Sequence, residues 1–205
     1  MNAPHNDSAV IPAPLARRRF LGAASGVTLS ATAIALLAGC NSMAADKKMD
    51  KMDDMASKDV GILNVALGLE HEAINAYQLG AESGLLAKPV LDVAVLFQSH
   101  HKQHRDALIA TIQKMGGTPV DAKMLADYAK ALKADTLKSQ ADVLMLAAKL
   151  ERGATNAYLG VIPAFKDSGL AKVAGRLAAD ETMHWTILTN ALAQSLPANA
   201  LSFGA

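Results

Sequence analysis

The sequence predicts an all-α fold, a bundle of four helices arranged as two antiparallel pairs joined by one long crossover. Three observations predict it. Apolar residues recur at three- and four-residue spacing in four blocks between residues 59 and 195, the period of one helical face. The first two blocks are echoed in the last two, 81 and 80 residues later, as expected of a duplicated helix pair. The stretch 116–138 separates the second block from the third, whereas the other links are short. Composition agrees: aromatics make up 4% of the chain, and Ala, Leu, Met, Lys, Asp and Glu favour helices over sheets.

The first helix starts near Asp59 and places Leu63, Ala66, Leu67, Glu70, Ile74 and Tyr77 on one face, with Gly84 closing it. The second begins near Pro89, a residue tolerated in a first helical turn. Its stripe is Leu91, Ala94, Gln98, His101, Leu108, Ile112 and Met115, and Gly116-Gly117-Thr118-Pro119 stops it. The third starts near Ser139, turns Leu144, Ala147, Glu151, Ala154 and Tyr158 inward, and is kinked or ended by Pro163. The fourth runs from Leu170 to about Ser195, with Leu177, Glu181, His184, Leu188 and Ala191 in line. Short links make each pair a hairpin, and the crossover lets the third helix start parallel to the second. Residues 121–132 are expected to form a short helix on the outside, and 196–205 a tail too short for a fifth bundle helix.

Polar residues interrupt these stripes at matching places. Leu69-Glu70 with Asn75-Ala76-Tyr77 is echoed by Leu150-Glu151 with Asn156-Ala157-Tyr158, and His101-x-x-His104 by Glu181-x-x-His184. At 1.5 Å rise per residue, antiparallel packing brings these groups to one level of the bundle. A lone buried carboxylate is prohibitive unless it is paired or bound to a cation. No Lys or Arg shares the stripes; Arg105 and Arg152 each lie one residue off. The layer therefore calls for metal ions held by Glu70, His101, His104, Glu151, Glu181 and His184. His100 is an alternative to His101, though the repeat favours His101. Gln98, Tyr77 and Tyr158 are candidates to support the ligands, the tyrosines otherwise serving as core packing. His71 and Glu72 read as surface residues, and Trp185 as packing outward against the crossover.

This pattern resembles the ferritin-like di-metal proteins, which place one Glu on each of two helices and Glu-x-x-His on each of the other two. Glu70 and Glu151 match the single carboxylates, Glu181-x-x-His184 one full motif, and His104 the histidine of the other. His101 stands where the remaining bridging Glu would be. A neutral imidazole offers one nitrogen to one metal, so Glu181 is left as the single protein bridge. The resemblance covers residues 59–195 and implies two metal ions. Iron is favoured by that likeness, with Mn or Zn open, since imidazole suits iron and zinc while carboxylate suits iron and manganese.

The N-terminal forty residues read as an address. Residues 1–16 are polar and Pro-rich; Arg17-Arg18-Arg19-Phe20-Leu21 then precedes a mild apolar stretch ending in Leu37-Ala38-Gly39-Cys40. That stretch is too short and too diluted for a membrane span of about 20 residues, and it has the three-part layout of a signal peptide. Its start resembles a twin-arginine export signal, and its end a lipoprotein box, which implies lipidation at Cys40. Residues 41–58 then form a flexible tether. Met49, Met52 and Met55 within it have a softness that suits Cu(I), but no His or Cys accompanies them, so a solvated tether is the reading adopted.

The functional expectation is an exported, lipid-anchored protein of the periplasm or cell envelope. It would be a ferroxidase- or peroxidase-type oxidoreductase, oxidising Fe(II) with oxygen or peroxide or removing peroxide; no catalytic side chain beyond the ligands is indicated. The alternative is a non-enzymatic tethered bundle that holds metal structurally or binds a partner. A lipid tether disfavours a closed storage cage and leaves a homodimer open. Outside the first forty residues, 17 basic side chains face 18 acidic ones, so no basic footprint for nucleic acid exists. With Cys40 alone, neither a disulfide within the chain nor a thiolate-held iron is available.

Overall fold

The computed structural model describes residues 48–204, with side chains from Ala56 onward. The expected signal segment 1–40, Cys40 and the thioethers of Met49, Met52 and Met55 lie outside the described residues. Four long helices and one short one account for the rest: α1 Lys48–Glu82, α2 Lys88–Lys114, α3 Leu125–Ala131, α4 Gln140–Val161 and α5 Ser168–Ala191. α1 packs on α2 and α4 on α5; α1 against α4 joins the two pairs. No helix among the described residues is long and apolar enough to cross a membrane.

Helix α1 begins at Lys48, so residues 48–58, expected as tether, continue the first helix. Gly84, at φ +70°, lies in the turn after α1. Pro89 sits in the first turn of α2. Beyond α2, Gly116 adopts φ +78°, donating its N–H to Gln113 O while Gly117 N–H reaches Ile112 O at 2.9 Å. That left-handed ending suits glycine. The Ser139 hydroxyl caps α4 by accepting from Asp142 N–H at 3.2 Å, and the helix ends in a 3-10 turn at Ile162–Ala164, where Pro163 stands. Asp167 caps α5 through Gly169 N–H. α5 stops at Ala191 rather than near Ser195, and Ala191 is exposed.

The crossover carries the short helix expected within 121–132, and α3 packs along α1. Asn64 of α1 pins its start, donating to Thr118 O at 3.0 Å and accepting from Val120 N–H at 2.8 Å. The crossover also covers His71, whose Nε2 lies 3.1 Å from Val120 O. His71 is therefore buried rather than a surface residue, and Glu72 is half-buried. The tail folds back onto α4: Gly204 N–H donates to Asn156 Oδ1 at 2.8 Å. Phe203 meets Trp185 edge-on at 5.0 Å, and Arg152 lies over both rings. Trp185 thus packs against the tail, not the crossover.

The core forms two apolar clusters. One gathers Leu63, Leu67, Leu108, Ile112 and Leu177; the other gathers Tyr77, Phe97, Leu144, Trp185 and Leu188. Leu67 is fully enclosed. Leu67→Ala is expected to cost about 2–5 kcal/mol through lost burial and a residual cavity, measured by urea unfolding. Between the clusters, the helices deliver their polar residues.

Candidate metal centre

Glu70 comes from α1, His101 and His104 from α2, Glu151 from α4, Glu181 and His184 from α5. All six are buried, none more than 9% exposed. They form two overlapping groups: Glu70, His101, His104 and Glu181, and His101, Glu151, Glu181 and His184. Within each group every residue offers a ligand atom, all within 4.8 Å of one another. Glu181 is shared by facing both ways, Oε1 lying 3.2 Å from His104 Nδ1 and Oε2 3.1 Å from His184 Nδ1.

The residues fit a bound cation on a specific observation. His104 Nδ1, Glu151 Oε2 and Glu181 Oε1 are fully buried without a hydrogen-bond partner. His104 Nδ1 and Glu181 Oε1 stand 3.2 Å apart, yet their alignment does not make a hydrogen bond. Orphaned donors and acceptors at such depth are costly, and a cation between them removes the cost.

The ferritin-like domain family matches residues 58–194. The chain belongs to this family. Among solved structures, a conserved hypothetical protein from Mycobacterium tuberculosis is similar in fold, with 21% identity and a TM-score of 0.57 over 71% of this chain and 97% of that one. A comparison with curated proteins finds no match.

Within this ferritin-like domain, each tyrosine of the repeat serves the other half's glutamate. Tyr77 donates its hydroxyl hydrogen to Glu151 Oε1, and Tyr158 donates to Glu70 Oε1. Side chains on a helix lean toward its N-terminus, so a tyrosine two turns beyond its own Glu reaches back to the layer and meets the neighbouring helix. Burial pushes both phenols well above their ordinary range, and the facing carboxylates push them further. They remain protonated donors. Gln98, expected to support His101, instead donates to Ile74 O and Gln78 Oε1 and accepts from Lys102. Its position three residues before His101 turns it toward α1.

Two supporting groups escaped the sequence reading. Asp180 Oδ2 lies 3.1 Å from His104 Nε2, and His100 Nδ1 lies 2.9 Å from His184 Nε2. Each holds the outer nitrogen of a histidine so that Nδ1 faces inward, the arrangement that orients metal-bound imidazoles. His100 is therefore not a substitute for His101; it backs His184, stacking on it at 5.2 Å, while Phe97 covers the same ring at 4.1 Å. The repeat carried the signal: His100-His101 and Asp180-Glu181 stand 80 residues apart.

Electrostatics follow from this crowding. Burial alone would lower His101, but hydrogen bonds with Glu151 and Glu70 outweigh it and raise the ring to about 11. His104, opposed by burial in the same way, is raised to about 10 by Glu181 and Glu70. His184 is raised as well, by Glu151 and Glu181 against burial. Burial pushes Glu70 and Glu151 up, yet their histidines win and hold both below the usual carboxylate range. Glu181 is raised, by burial first and by the like charge of Glu151 among the rest.

Proposed function

We propose that this protein is an exported di-metal protein that oxidises Fe(II) with oxygen or peroxide, or removes peroxide, at the buried Glu and His layer. The convergence of the two four-residue groups, with three buried polar atoms among them left without a hydrogen-bond partner, carries the reading. Glu70, His101, His104 and Glu181 would hold one cation, and Glu151, His184, His101 and Glu181 the other. These residues would hold a pair of iron ions, which would supply two electrons together for reduction of oxygen or peroxide.

The chain's own residues do the rest. Tyr77 and Tyr158 fix the terminal carboxylates, and Asp180 and His100 fix the terminal imidazoles. Leu67 and Phe97 keep water from the layer. Asp180, with its side chain 43% exposed, and the half-buried His100 mark the seam between α2 and α5 as the way in for Fe(II). Its carboxylate and imidazole are suited to a borderline divalent cation such as Fe(II). The twin-arginine-like start and the box ending at Cys40 support export and a lipid anchor in the envelope, with the bundle held close to the membrane.

The full chain is expected to bind roughly two irons and to gain near-ultraviolet absorbance when Fe(II) meets oxygen or peroxide. Elemental analysis finding no transition metal under any loading condition would sink the reading. Two nitrogens and two oxygens facing each position also suit zinc, which favours one rival: a structural metal in a bundle that binds an envelope partner. Firmly held zinc with no turnover would select it.

A further inference from the structure

His101 occupies the position where the repeat and the family pattern place a bridging carboxylate, and its ring lies between the two ligand groups. Nδ1 faces Glu70 Oε2 at 2.8 Å and Glu181 Oε1 at 3.7 Å. Nε2, on the far side of the ring, faces Glu151 Oε1 at 3.2 Å. The two ring nitrogens therefore address carboxylates on different helices. Tyr77 stacks on the ring at 5.4 Å, and His101 is 1% exposed, so the ring is clamped edge-on between the groups.

We propose that His101 is a ligand to both cations at once, one through each ring nitrogen, so that an imidazole and Glu181 together bridge the pair. This rests on the di-metal reading above. Glu181 divides its oxygens between the groups in the same way, Oε1 toward His104 and Oε2 toward His184. Each position then receives two nitrogens and two oxygens: His104 Nδ1, His101 Nδ1, Glu70 and Glu181 Oε1 on one side; His184 Nδ1, His101 Nε2, Glu151 and Glu181 Oε2 on the other. Coordination at both nitrogens requires the ring to release two protons to solvent, one from each nitrogen as a cation binds there. Four donors rich in nitrogen select late first-row divalent ions such as zinc or copper over manganese.

The test uses zinc-loaded full chain with 15N-labelled histidine, its zinc content measured in parallel. The expected result is two zincs per chain and one ring with both nitrogens at metal-bound shifts and no N–H proton. That ring is absent from His101→Glu, which also loses about tenfold or more in preference for zinc over manganese. Crystals of the same zinc-loaded protein should show two anomalous peaks flanking the ring. Two zincs with every bound ring retaining one N–H overturns the bridge and leaves the di-metal reading standing. Fewer than two zincs per chain overturns the bridge, and the di-metal reading falls with it when iron loading also gives fewer than two. Because the spectrum is read on the wild-type chain, a poorly folded variant does not obscure the result.

Discussion

Replacing Glu181 with alanine is expected to empty both cation positions, whereas Glu70→Ala or Glu151→Ala empties one. Glu181 is the carboxylate that both ligand groups share, and each of its oxygens faces a different histidine. Elemental analysis after gel filtration should therefore show metal content falling from about two per chain to none in Glu181→Ala and to about one in either other variant. Affinity for the first ion should weaken at least about 100-fold in Glu181→Ala, beyond what loss of a supporting hydrogen bond causes. The metal-free chain should lose thermal stability as well, because His104 and His184 are both raised by Glu181 and removing one partner of a buried charge pair is destabilising. Equal metal loss in all three variants would contradict the sharing of Glu181, and unchanged binding would remove it from the centre.

Glu70, Glu151, His104 and His184 were legible in the sequence because they sit inside apolar stripes. A carboxylate or imidazole there needs a reason, and the repeat supplies its counterpart in the other half. Periodicity reports which face of a helix points inward, and that sufficed for the buried Glu and His layer, the hairpin pairs and the short crossover helix. It does not report what a side chain one position off the stripe will touch. Asp180 and His100 are such residues: the sequence offers His100 only as an alternative to His101 and gives Asp180 no role, and only the approach of α2 to α5 puts them on the outer nitrogens of His104 and His184. The crossing of the tyrosines was hidden for a related reason, since it depends on the lean of a long side chain toward a neighbouring antiparallel helix. His71 and Trp185 were misplaced because their covers, the crossover and the folded-back tail, have no periodic signal of their own.

Metal affinity is expected to rise steeply with pH, and the chelated chain to lose stability over the same range. His101 and His104 have folded-state values raised to about 11 and about 10, against about 6.5 in the unfolded chain. A group raised in this way contributes stability that is fully present below the unfolded value and fades as pH climbs through the folded one. Glu70 and Glu151 are depressed, so their contribution is present above about 4.5 and fades as pH falls through their folded values. Glu181, raised, opposes them and trims the gain above its unfolded value. The chelated chain should therefore be most stable between roughly pH 4.5 and 6.5 and melt progressively lower toward pH 10. Cations compete for the same nitrogens and must displace these protons, so each proton released makes binding about tenfold tighter per pH unit. Zinc titration calorimetry in buffers of different ionisation heat should register that release directly. Melting curves with and without zinc should diverge as pH rises from 6 to 9. Binding without proton release would mean that the cations sit outside the histidine layer, because inside it no nitrogen can serve a proton and a metal together.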